Sequence, residues 1–202
     1  MKKTIFILMI FICSLTFIVA EETQSSIPAN FSMGEWNGNV YTNDFLGLKL
    51  ELPDGWVRYG EEEMAAIMNL GAQALNDDLK QLSKIAEMTT VYYVLANNPA
   101  TADSISIITE KQILDTTADV YVNALKDALK TASELVTFTN DNISKEKIAG
   151  REYSVLTINA SSPVSEVIQK YCCCKIGKYM LGILVSTKGD EATLNDILKA
   201  FK

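Results

Sequence analysis

The sequence predicts an α+β fold organised around an antiparallel sheet. Runs with period-two alternation dominate the chain, tight turns join consecutive runs, and helical spacing appears only between them. The first two runs are Val40–Asn43 and 45–52, the second setting Leu46, Leu48, Leu50 and Leu52 against Gly47, Lys49 and Glu51. Pro53–Asp54–Gly55 reads as a turn, because Pro presets φ and Gly accepts positive φ. Glu61, Glu62 and Glu63 then place negative charge at a helix start, where the macrodipole favours it. Met64, Ile67, Met68, Gly71 and Leu75 follow at helical spacing, and Leu79, Leu82 and Ala86 carry the stripe past a break near 76–78.

Strands near 90–96 and 104–109 flank the turn-rich stretch NNPATAD. Thr116 or Thr117 caps a second helix that sets Val120, Ala124, Leu125 and Ala128 on one face. Strands near 135–139, 143–148, 151–160, Ser165–Ile176 and Tyr179–Thr187 come next, with tight connections at Ala149–Gly150 and Gly177–Lys178. Asp190 caps a closing helix, EATLNDILKAFK. The chain has no internal repeat.

The first residues, MKKTIFILMIFICSLTFIVA, join a lysine pair to an apolar stretch and end before the acidic run EET. That is the layout of a secretory signal peptide over 1–20, with cleavage expected after Ala20. The apolar run is shorter than the roughly 20 residues of a spanning helix, and a retained N-terminal anchor is the alternative reading. Cys13 follows Phe11 and Ile12, where a lipid-attachment signal needs small residues. Residues 21–38 read as a flexible leader rich in Ser, Asn, Glu and Gly, and 39–202 as a single domain. The formal charge is −7, and losing Lys2 and Lys3 with the leader makes it more negative still. An acidic surface disfavours nucleic acid and anionic membrane faces as partners.

The stretch GNVYTNDFLGLKLELPDGWVRYGEEEM is similar to the start of small secreted proteins and lipoproteins of clostridia-like Gram-positive bacteria. It shares their Tyr-x-Asn strand, their GL strand and LPxGW before an acidic helix start. Those proteins look like members of the PsbP-like fold superfamily, so the resemblance implies an α/β/α sandwich around a central antiparallel sheet. It implies little about activity, because one fold hosts unrelated functions. The metal-contacting histidines of its photosystem members have no counterpart in a chain without histidine.

That lack of histidine removes Ser-His-Asp and Cys-His machinery, the common zinc hydrolase sites and any imidazole base. Carboxylate, lysine or thiol chemistry is what remains. Ser144 to Lys147 fits S-x-x-K, but in an expected hairpin and without the S-D-N and K-T-G partners that motif needs. Asp54 and Glu61–Glu63 lack the alternating spacing and central glycine of a calcium loop. Trp56 and Tyr59, just past the turn, are the candidate aromatic binding residues, set against a reading in which they close the core edge.

Cys172, Cys173 and Cys174 stand side by side in a strand. Neighbours in a strand point to opposite faces, so Cys172 and Cys174 share one with Ile168 and Ile176, while Cys173 lies with Gln169, Tyr171 and Lys175. Disulfides within the run are sterically disfavoured, and three thiolates split between two faces make a poor metal site. Cys173, on the more polar face, is the candidate reactive thiol. No metal, cofactor or catalytic residue is assigned. The chain reads as a secreted or envelope-associated accessory or binding domain, with a protein or cell-envelope component as partner. The alternative is an enzyme that works without histidine.

Overall fold

The computed structural model describes residues 31–73, 89–112, 114–131 and 136–202. The expected signal peptide, the leader up to residue 30 and the stripe from Leu75 to Ala86 lie outside the described residues. Strands β1 (Glu35–Asn37), β2 (Val40–Asn43) and β3 (Leu48–Glu51) form a three-stranded sheet. A seven-stranded sheet contains β4 (Val57–Arg58), β5 (Thr90–Asn97), β6 (Ser104–Lys111), β7 (Thr137–Ile148), β8 (Arg151–Ser162), β9 (Ser165–Ile176) and β10 (Tyr179–Thr187). Its spatial order is β4-β5-β6-β10-β9-β8-β7, with every neighbouring pair antiparallel. The helices are α1 (Glu61–Gln73), α2 (Ala118–Thr131) and α3 (Glu191–Leu198).

Leucine alternation decides how the small sheet packs. Leu46, Leu48, Leu50 and Leu52 are all buried, while Gly47, Lys49 and Glu51 face out. With Tyr41 they meet one face of the large sheet, where Ile105, Ile107, Val155, Cys172, Leu181, Ile183 and Val185 lie. Leu194, Ile197 and Leu198 of α3 complete that layer, and Phe201 bridges to Leu50 of β3. On the opposite face, α2 lays Tyr121, Val122, Leu125 and Leu129 over Leu156, Ile158, Tyr171, Cys173, Met180 and Leu184. The expected α/β/α sandwich is therefore present, one outer layer being shared between α3 and the small sheet.

Capping fixes where the helices start. Thr117 accepts the Val120 N–H at 3.3 Å, and Asp190 accepts that of Thr193 at 2.9 Å. Glu63 Oε2 accepts the Gly60 N–H at 2.9 Å, half of a capping box.

Three expectations need correction. Part of the stretch read as a flexible leader is folded: Phe31 packs against Phe45 and Tyr93, Tyr41 Oη donates to the Met33 carbonyl at 2.7 Å, and β1 pairs with β2. Polar composition hid this, because the anchoring is done by two aromatics, Phe31 and Trp36, and by backbone groups. The buried stripe of α2 runs through Tyr121, Val122, Leu125 and Leu129, whereas Val120 is exposed; the phase of the stripe was set one residue early. Residues 137–148 form one strand instead of two, with a bulge between Thr139 and Asn142 where a break was expected.

The β7–β8 hairpin turns on Ala149 and Gly150, both at positive φ (48° and 81°). Glycine adopts that region freely and alanine does not. Replacing Ala149 by Asn creates the Asn-Gly pair that such turns prefer. Ala149→Asn is expected to raise unfolding stability by about 0.5–1 kcal/mol, read as a higher urea midpoint at an unchanged slope. An unchanged or lower midpoint would show that Ala149 is not strained.

Candidate functional site

The cysteine run crosses the centre of the large sheet. β9 pairs with β8 and β10, setting Cys173 opposite Ser154 and Gly182, and Cys172 opposite Val155 and Ile183. Face alternation is as the sequence implies: Cys172 and Cys174 face the small sheet, and Cys173 faces α2. The polar, accessible surroundings expected of Cys173 are absent. Its face is covered by α2, and Cys173 and Cys172 are both 0% exposed, against 5% for Cys174. Gln169 and Tyr171, which made that face look polar, are buried too, with Tyr171 Oη donating to Gln169 Oε1 at 3.0 Å. Burial pushes all three thiols above their ordinary pKa, away from the reactive thiolate. At Cys174 the Arg151 guanidinium works against that rise.

Trp56 is half-buried and packs on the first core cluster, while Tyr59 is held by its backbone N–H donating to the Leu95 carbonyl at 2.9 Å. Burial, then the charge of Glu63, raises the Tyr59 pKa. Trp36 on β1 is likewise half-buried and packs on the same core cluster. Arg58 of β4 lies over its ring at 4.8 Å from the centroid, joining the margins of the two sheets. Exposed Val57 lies beside this corner in sequence. Trp36 falls within the stretch read as leader, where local composition offers no reason to expect a packed aromatic.

The polar groups that could carry chemistry without histidine join layer to layer. Ser144 and Lys147 stand on the same strand, and the Ser144 hydroxyl donates to Glu146 at 3.3 Å, so S-x-x-K assembles no site. Lys145 instead reaches Ser154 Oγ at 2.9 Å and pairs with Asp119 at the start of α2, which also accepts from Ser154 Oγ at 2.5 Å. Hydrogen bonds from Lys145 and Ser154 hold the Asp119 carboxyl below its usual range. Further along α2, Lys126 and Lys130 pair with Asp141, inside the β7 bulge, at 3.3 and 2.8 Å. On the other face, buried Lys170 donates to Glu146 at 2.7 Å and Asn195 at 2.8 Å, and pairs with Glu191 at 3.1 Å. Burial would lower the pKa of that ammonium, but the two carboxylates outweigh it and raise it. These are partners from distant strands and helices, which sequence spacing could not pair.

Glu110 is a different case. It is buried on β6, its Oε2 accepting from Tyr121 Oη of α2 at 2.7 Å. Burial dominates that hydrogen bond and pushes its pKa up to about 7. Among the described residues, no group of three or more Cys, Asp or Glu side chains is placed to hold a metal ion.

No family model matches the chain, and no curated protein matches it. Among solved structures it is similar to the solution structure of cyanobacterial PsbP (CyanoP) from Synechocystis sp. PCC 6803. The identity is 12% and the TM-score 0.48, over 88% of this chain and 97% of that one. Fold and site together define an α+β sandwich domain whose charged groups tie helices to sheet. Among the described residues, no helix is long and apolar enough to cross a membrane.

Glu110 makes stability depend on pH in a defined direction. Its folded pKa is raised, so its stabilising neutral form is fully present below the unfolded value near 4.5 and is lost as pH rises through about 7. Unfolding free energy, measured from pH 4 to 8, should therefore fall for the parent protein relative to Glu110→Gln by on the order of 3 kcal/mol. Parallel curves would mean that folding leaves the Glu110 pKa unshifted.

Proposed function

We propose that this protein is an exported, non-catalytic accessory domain that binds a protein or cell-envelope component through the corner built by Trp36, Val57 and Arg58. One observation carries the reading: the lysines and carboxylates nearest the buried layers are engaged with one another as ties between layers. An aromatic ring, a guanidinium and an exposed valine are left at the meeting of two sheet margins, and Trp and Arg are the side chains on which interfaces depend most. The signal-peptide layout of residues 1–20 supports export.

The opposing reading is a hydrolase using Ser154 and Lys145. Their 2.9 Å approach favours it. A general base must accept the nucleophile's proton, however, and here Lys145 donates to Ser154 while the hydroxyl donates to Asp119.

Cosedimentation with cell envelopes of the source organism separates the two. Saturable binding is expected, weakened about tenfold or more by Val57→Asp combined with Arg58→Ala and unaffected by Val164→Ser at a separate exposed site. Binding indifferent to the corner variant, or ester or amide hydrolysis abolished by Ser154→Ala, would overturn the proposal.

A further inference from the structure

Cys174 differs from its two neighbours in what surrounds its sulfur. Arg151 Nη1 lies 4.0 Å from Sγ while also donating to the Leu46 carbonyl at 2.8 Å, which fixes the guanidinium in place. Gly47 leaves the room for it, since a Cβ there would come within 2.8 Å of Arg151 Nη2. Tyr153 lies on the same face of the sheet, and its hydroxyl and the sulfur are near enough to affect each other's protonation. The Tyr153 hydroxyl is buried and, among the described residues, makes no hydrogen bond of normal geometry, although Cys174 and Arg151 stand close enough to interact with it. A buried hydroxyl without a partner is costly, and it points to an acceptor yet to be supplied.

An oxygen atom on the sulfur is such an acceptor. We propose that Cys174 is a modification site, at which the thiol takes one oxygen from a hydroperoxide and holds it as a sulfenate between Arg151 and Tyr153. Burial holds Cys174 mainly as the thiol and Arg151 works against that; in the minor thiolate form the sulfur attacks one peroxide oxygen, an S–O bond forms and the O–O bond breaks. The sulfur loses two electrons to the peroxide, whose other oxygen leaves as hydroxide (alkoxide from an organic hydroperoxide) and takes up the proton the thiol released; the sulfenic acid so formed gives its own proton to solvent to become the sulfenate. The guanidinium offsets the negative charge of the sulfenate, and the tyrosine hydroxyl gains its hydrogen bond. Cys172 and Cys173 are fully buried, and neither has a hydrogen-bond donor at its sulfur among the described residues. The assignment thus moves the reactive position from Cys173 to Cys174 and rests on geometry independent of the binding corner.

The test is treatment of the native protein with hydrogen peroxide, trapping of sulfenate with dimedone, and fragmentation mapping of the 165–176 strand. The adduct is expected on Cys174, with Cys172 and Cys173 unmodified until denaturant is added. Tyr153→Phe removes only the orphaned hydroxyl, so it should fold as well as the parent. It should nevertheless lower the trapped adduct about fivefold, the loss of one hydrogen bond's stabilisation. An adduct spread over the three cysteines, no adduct on the native protein, or an adduct unchanged in Tyr153→Phe would each overturn the assignment.

Discussion

Burial of the central strands on both faces is the constraint on which the architecture rests. β10 is buried at every residue from Tyr179 to Thr187, and β9 at nearly every residue from Val167 to Cys174. A sheet with such a centre cannot leave either side to water, so each must be roofed by another layer. α2 supplies one roof; α3 and the leucines of β2–β3 supply the other. The CCC run follows from the same constraint. Between two roofs a strand needs apolar residues on both faces, and a free cysteine packs as a small one.

Apolar contact alone does not fix how a roof sits, because it is non-directional. The charged ties supply direction. Asp119 at one end of α2 meets Lys145 and Ser154, and Lys126 and Lys130 further along meet Asp141. Two separated anchors leave the helix one orientation across the strands. The β7 bulge has a use in this light, since it is the place where Asp141 is carried. Lys170 does the corresponding work for α3, reaching Glu191 and Asn195 on the helix and Glu146 on β7. The more exposed pairs on α2 add little stability each, and their contribution is register more than strength.

Much of the fold was legible because it is written in local periodicity. The alternation of Leu46 to Leu52, the caps at Thr117 and Asp190, and the turns at Ala149–Gly150 and Gly177–Lys178 are all short-range signals, and all stand in the structure. What escaped was non-local. No pattern around Lys145 announces Ser154 and Asp119, and none around Glu110 announces Tyr121. The face of Cys173 was placed correctly but its surroundings were misjudged, because Gln169, Tyr171 and Lys175 were read as marks of solvent. A tyrosine hydroxyl that donates to a glutamine oxygen is as compatible with a buried face as with an exposed one.

The meeting of Leu50 with Phe201 has a consequence for how the chain acquires its structure. Glu51 donates to the Ala200 carbonyl and Lys202 to that of Lys49, so the small sheet near the start is sutured to residues close to the end. Contacts between such distant parts of a chain form late, after the entropy of closing a very long loop has been met. During synthesis the leucines of β3 would lack their contacts with the 194–201 segment, Phe201 among them, until those residues have been made. A ribosome-bound chain stalled before that point would therefore present an adhesive, chaperone-seeking surface rather than a nearly finished domain.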